Sequence, residues 1–471
     1  MKNSIIKSLL VFYLLLGASV LVNAQINNQN NKINYDRPYD KSGINVFETT
    51  KVDLVPYTGF QLKISGGFTQ QFQALSHSNT ADTVLKDNNL TTTVGDSVNI
   101  NKLYPITNGF NLATANFILT AQIADGISVK LENYMSSRHH NEFWVKGGYI
   151  QVDKLPFFGN PQWFADNFTV KIGQFENNYG DAHYYRTDNA NGIYNPFVGE
   201  NIMDAFATEI GGEFYFKPDN GIIAMLGLSS GLLNANIKVF TNPNDITDTL
   251  SRNPSIYGKI GYDKELNDDL RVRLTGSVYT NAGTSSNTLY SGDRAGSRYY
   301  LAGEQEYVSG ATGLVAVSTA AQAFSGRLNP GFSSQVMAIM INPFVKFHGL
   351  EVFGTYEMSS GNGSLSTFTK TDTVDRKFNQ MAVHALYRFL ENEQAYVGVR
   401  YNTVTGRLFG YTDQEGDIDI TRLQVAAGWF PTENLLVKLE YVKQNYNNFR
   451  TSDSRSGLEF KGVMIEASVG F

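Results

Sequence analysis

The sequence predicts an all-β chain, a transmembrane antiparallel β-barrel of about sixteen strands with short periplasmic turns and long extracellular loops. Three observations predict it. Apolar and polar residues alternate with period two along many short segments, as in Phe60, Leu62, Ile64, Gly66 and Phe68 against Gln61, Lys63, Ser65, Gly67 and Thr69. That period gives a strand one dry and one wet face. Short turns occupy alternate connections, and longer stretches rich in Asn, Ser, Gly, Thr and Asp lie between them. The chain also ends on an amphipathic strand, with Val463, Ile465, Ala467, Val469 and Phe471 against Met464, Glu466, Ser468 and Gly470. Pairing that strand with the first one closes the barrel and removes an edge that lipid cannot satisfy.

The elements follow in order. Lys2 and Lys7 precede an apolar run from Leu9 to Leu16, and Val22-Asn23-Ala24 offers small residues before Gln25. This is the secretory pattern, so residues 1–24 are expected to be a signal peptide. The run is too short for a comfortable helical span of about 20 residues. Residues 25–56 carry Asn27, Asn28, Asn30, Asn31 and Asn34 with few apolar anchors. They read as a flexible periplasmic arm, too polar for a folded plug.

The barrel is expected over 57–471, with strands at 57–72, 111–124, 127–136, 142–153, 167–176, 204–216, 221–229, 255–263, 270–280, 334–347, 350–359, 378–390, 395–404, 419–430, 435–447 and 457–471. Counts of 14 or 18 stay open, because the 230–254 and 281–333 connections are long enough to hide a hairpin. Phe471 is expected to mark the closing strand and to resemble the terminal-aromatic assembly signal of outer-membrane proteins. Aromatics near strand ends, among them Trp144, Trp163, Phe175, Tyr215, Tyr279, Phe347, Tyr401, Trp429 and Phe430, suit girdles at the headgroup level.

Composition agrees with a barrel. There are 31 Phe, 26 Tyr, 43 Gly and no Cys. Mean hydropathy is −0.24, an average that lipid-facing and lumenal residues in alternation would produce. Without cysteine there is neither a disulfide framework nor a thiolate metal site. A net charge of −6 gives no sign of a nucleic-acid partner. His139 and His140 are adjacent, the other four His are isolated, and HExxH and CxxC are missing. No catalytic residue, metal or cofactor is therefore expected, and the chain does not read as an enzyme.

The candidate site is the lumen. The connection at 177–203 mixes Asp181, Arg186, Asp188 and Glu200 with several tyrosines, and is expected to fold inward and narrow a pore. The wet strand faces carry Lys63, Lys130, Lys146, Lys171, Arg271, Arg273, Lys346, Arg388, Arg400, Arg422 and Lys438. The acids there are fewer: Glu132, Glu209, Glu213, Glu351, Glu357, Glu440 and Glu466. The excess predicts a weak anion preference, opposed by the acids of the loop.

Lys171-Ile172-Gly173-Gln174-Phe175 followed by Asn178-Tyr179-Gly180 resembles a pattern of the phosphate-selective porin O and P family. So does Leu226 to Gly231 followed by Pro254 and Tyr257-Gly258-Lys259-Ile260-Gly261-Tyr262. The resemblance implies a sixteen-stranded trimer with a lumenal ladder of arginines and lysines. The chain departs from it where Arg186 stands among acids, so phosphate selectivity is not implied. The function expected is an outer-membrane porin of a Gram-negative bacterium passing small polar solutes or ions by diffusion. Its expected partners are outer-membrane lipid, the barrel-assembly machinery, small solutes and ions, and its own copies in a homotrimer. The alternative is a barrel that binds or adheres through its long loops, and a barrel enzyme is a third class.

Overall fold

The computed structural model describes residues 32–87, 97–135, 143–231, 240–242, 245–250, 253–284, 286–291, 299–310, 313–317, 325–363 and 374–471. The expected signal peptide and the first residues of the expected arm lie outside them. Sixteen strands form one closed antiparallel barrel. They are β1 Gln61–Ser78, β2 Gly109–Ala124, β3 Ile127–Met135, β4 Trp144–Val152, β5 Phe168–Glu176, β6 Thr208–Phe216, β7 Ile222–Ser229 and β8 Ser255–Asn267. The circuit continues with β9 Leu270–Asn281, β10 Gln335–Phe347, β11 Leu350–Asn362, β12 Arg376–Phe389, β13 Ala395–Gly406, β14 Ile418–Thr432, β15 Leu435–Asn447 and β16 Glu459–Gly470.

Every strand read from alternation is present. The largest shift is in β1, which starts at Gln61 and runs on to Ser78, six residues beyond the expected end at 72. The long connections do hold hairpins, at Phe240–Asn242 with Asp245–Leu250 and at Tyr307–Gly310 with Gly313–Ala316, but these stay outside the barrel. A third, Leu85–Asp87 with Ser97–Asn99, was not anticipated.

β1 and β16 close the circuit from Gly67↔Gly470 to Ser78↔Glu459. One residue further, Phe471 donates its N–H to the Gly66 carbonyl at 3.0 Å and accepts from the Gly66 N–H at 2.9 Å. The last residue thus extends the seam. We expect removal of Phe471 to lower the amount of folded barrel in the outer membrane. Heat-modifiable gel mobility would measure it, and undiminished insertion would remove the closing role.

The parity is as predicted. Leu62, Ile64, Phe68, Leu131 and Ile465 are exposed on the outer face, with Phe117, Leu119, Val129 and Val469 half-exposed beside them. Asn116, Glu132 and Glu466 are buried inside. Closure satisfies the strand backbone, which allows such a wall to cross hydrocarbon. An even-stranded barrel with an apolar outside and a polar inside resides in the outer membrane of a Gram-negative bacterium. Arg at Val425, exposed at the middle of β14, is expected to cost about 2–4 kcal/mol in lipid unfolding titrations. A negligible cost would reverse the face assignment.

The aromatic assignment needs correction. Trp163, Phe347, Tyr401 and Trp429 are exposed on the outside. Phe175, Tyr215, Tyr279 and Phe430 instead point inward and are buried. They share strand parity with charged residues, and the tyrosines use their hydroxyls there. Tyr279, for example, donates to Glu209 at 3.0 Å.

The arm is also corrected. From residue 32 onward it is not a free periplasmic segment but enters the barrel on the side of the short turns. Lys41 N–H donates to the Glu433 carbonyl at 2.8 Å, and Lys217 Nζ donates to the Thr49 carbonyl at 2.8 Å. Ile33, Tyr35, Tyr39 and Phe47 are buried. The expectation failed because the host surface is polar. A segment that could not build an apolar core can still satisfy a lumen lined with charges, using opposite charges and tyrosines.

Candidate functional site

Three segments meet inside the barrel: the arm, the 177–207 loop and the long connection after β9. The loop leaves β5 at Asn177 and passes through short 3-10 turns at Ala182–Tyr185 and Asn191–Ile193, with Asn189 and Ala190 in the left-handed region. Its backbone groups are held by wall side chains. Lys438 Nζ donates to the carbonyls of Gly192, Asn195 and Phe197 at 3.2, 3.0 and 3.2 Å. Arg400 donates to the carbonyl of Gly199, and Arg422 to those of Glu200 and Gly326. Glu440, Asn402 and Gln380 accept the N–H groups of Val198, Ile202 and Met203 at 2.7, 2.7 and 2.9 Å. A Cβ at Gly199 would lie 2.1 Å from the Tyr299 hydroxyl oxygen, so glycine is required for this approach.

The four residues singled out in the loop occupy distinct places. Asp181 accepts from Arg273 Nε at 2.8 Å, Lys259 Nζ at 2.8 Å and Thr275 Oγ1 at 2.7 Å. Burial would raise its carboxyl, but Arg273 and Lys259 together outweigh burial and hold it at about 2. Arg186 donates to Asp204 at 2.8 Å, pairs with Asp188 and stacks 3.7 Å from the Phe206 ring centre. Asp188 also takes Lys146 at 3.2 Å. Glu200 accepts the Thr187 N–H at 3.0 Å and the Asn195 amide at 3.3 Å.

The wall cations expected in the lumen are inside, and many have partners. Lys63 and Lys130 reach Asp36 of the arm at 2.8 and 3.3 Å. Arg271 pairs with Asp263 at 2.8 Å, and Arg388 with Glu351 at 2.9 Å. Arg273 also takes Glu48 of the arm at 2.8 Å. Lys171 lies 4.0 Å from Glu213. Lys259, Glu48 and Asp36 were not among the lumenal residues expected from alternation. Lys259 was legible, since it shares the inward parity of Tyr257 and Asp263 on β8. Asp36 and Glu48 had no periodic signal, because the arm is neither strand nor helix where they sit.

The space left is divided. A cavity of about 1140 Å³ opens on the side of the short turns, between the arm and residues such as Lys154, Asp219 and Arg271. Another of about 670 Å³ lies among the outer loops, lined by Tyr290, Arg327 and Arg455. A third, of about 170 Å³, sits deeper, between arm, loop and the wall of β3–β6.

The chain is a transmembrane barrel of the outer membrane. No family model and no curated protein matches it. Solved structures similar to it include an anion-selective porin from Comamonas acidovorans, at 11% identity over 88% of this chain and 100% of that one, with a TM-score of 0.49. The outer membrane channel DcaP of Acinetobacter baumannii is 11% identical over 89% of this chain and 100% of that one, with a TM-score of 0.48. OmpF of Salmonella typhi is 14% identical over 88% and 99%, with a TM-score of 0.47. At this distance the solute is a matter for the chain's own lumen.

Proposed function

We propose that the chain is an outer-membrane channel through which small polar solutes or ions diffuse passively, with the 177–207 loop and the arm as its constriction. One observation supports this most: a polar, charged interior carries an inward-folded loop between a cavity at each mouth. No reaction or cofactor enters the reading. A phosphate ladder does not enter it either, because the wall cations are distributed among Asp36, Glu48, Asp181, Glu351 and loop carbonyls. The adhesion reading is not favoured. Large side chains of the connection after β9, such as Tyr290, Tyr299 and Phe332, are buried, and Tyr299 donates to lumenal Glu440 at 2.7 Å.

We also propose a homotrimer. Strands β4–β7 have 8 or 9 residues, against 12–15 in β8–β16. Nine residues tilted at ~40° climb about 23 Å, below the ~25 Å apolar band of such barrels. A second copy of this chain packed on the low wall would cover the shortfall.

Purified protein in planar bilayers is expected to give conductance steps that close in equal thirds, with a weak anion preference by reversal potential. That preference should fade as salt shortens the Debye length to about 10 Å at 0.1 M. An absence of conductance would end the channel reading. A clear cation preference at low salt would assign control to the loop acids.

A further inference from the structure

Lys171 differs from the other lumenal cations. Among the described residues its Nζ makes no hydrogen bond, and its closest carboxylate oxygen belongs to Glu213, at 4.0 Å. Glu213 is already engaged by the Tyr215 and Tyr257 hydroxyls at 2.5 and 3.0 Å and by the Asn178 N–H at 2.9 Å. The ammonium instead lies 4.4 and 4.2 Å from the ring centres of Tyr149 and Phe175. Its side chain is only 16% exposed. A charge so placed, with three donors free, is stabilised when an anion meets it.

The opening beside it is the deep cavity of about 170 Å³. Arg37 and Lys217 line the same cavity, and their hydrogen bonds go to carbonyls: Gly43 and Tyr184 for Arg37, Thr49 for Lys217. The cavity's carboxylates are occupied. Asp36 pairs with Lys63 and Lys130, Glu48 with Lys259 and Arg273, and Glu176 with His183, while Glu132 accepts from Asn116. Elsewhere on the lining, the buried Thr208 hydroxyl has no partner among the described residues. The volume is close to that of an apolar cavity, ~150 Å³, known to accept one benzene ring. Cations held by carbonyls or, for Lys171, by one carboxylate oxygen at 4.0 Å, together with aromatic walls and this size, narrow the class of occupant.

We propose that this cavity binds a small carboxylate carried on a flat ring, with the carboxylate on Lys171 Nζ and the ring against Tyr149 and Phe175. The arm supplies Arg37, so the site is complete only with the arm in the lumen. The inference rests on the channel reading for its purpose, as a station on the path. Its test reads binding without conduction.

Isothermal titration of the detergent-solubilised full chain with benzoate is expected to give saturable one-to-one binding. Lys171→Gln should weaken it by about tenfold or more, the loss expected for one charge-assisted hydrogen bond. Lys171→Arg, which keeps the charge, should retain most of it, and Lys461→Gln on the outer face should leave it unchanged. Inorganic phosphate should bind more weakly than benzoate. The proposal is overturned by a lack of saturable benzoate binding, by full binding in Lys171→Gln, or by phosphate binding as tightly as benzoate. In each of those cases an unchanged bilayer conductance would leave the channel reading standing.

Discussion

Deleting residues 32–56 is expected to raise single-channel conductance severalfold while the barrel still folds. The segment enters the lumen from the side of the short turns and fills space beside the wall of β1–β6. It is held there by side-chain pairs with individual strands: Asp36 with Lys63 and Lys130, Lys51 with Asp153, and Glu48 with Arg273 and Lys259. It contributes no strand to the barrel, so closure does not depend on it. Ion preference should move little, because Lys32, Arg37, Lys41 and Lys51 leave together with Asp36, Asp40, Glu48 and Asp53. A rise in conductance without a selectivity change would therefore report steric obstruction and not a charge effect. Equal conductance with and without the segment would show that the path avoids the arm.

The second large effect is on stability. Asp181→Ala should cost about 3–5 kcal/mol, the penalty for leaving buried charges without their partner. Arg273 and Lys259 are both fully buried on their side chains, and Asp181 is the carboxylate they share with Glu48. Because Glu48 remains, the lower end of that range is expected. The pH dependence follows from the sign of the shift. Asp181 sits at about 2 in the folded chain, below the ~3.9 of an unfolded aspartate. Its stabilisation is then complete above pH ~4 and is lost as pH falls through about 2. Unfolding titrations at neutral pH and near pH 2 should show the wild type approaching the variant only at the lower pH. A constant gap between the two would remove Asp181 from the network.

These two effects bear on an expectation that the parity argument alone would give, that lumenal substitutions are cheap. Asn116 shows why they are not. It faces inward as alternation requires, yet its amide donates to Glu132 at 3.1 Å and its oxygen accepts the Ala190 N–H of the loop at 3.0 Å. A lumenal side chain here is a packed and hydrogen-bonded group, so its replacement disturbs the contents of the barrel as well as the wall.

By itself the sequence determined the barrel. A two-residue period, turn residues at alternate connections and an amphipathic last strand are local signals, and each survives without knowing what lies across the lumen. They placed all sixteen strands and decided which face of β1, β2 and β16 meets lipid. The same parity placed Lys63, Lys130, Lys171, Arg273, Arg388, Arg400 and Arg422 on the inner side. Only the tertiary structure decided what those charges do. Asp36 lies 27 positions from Lys63, and Glu48 lies 225 from Arg273, in a segment with no period to read. Partnerships of that kind come from the three-dimensional match between a charged wall and whatever enters it. A polar arm looks like solvent-exposed chain in sequence, because burial in a polar lumen and exposure to water demand the same residues.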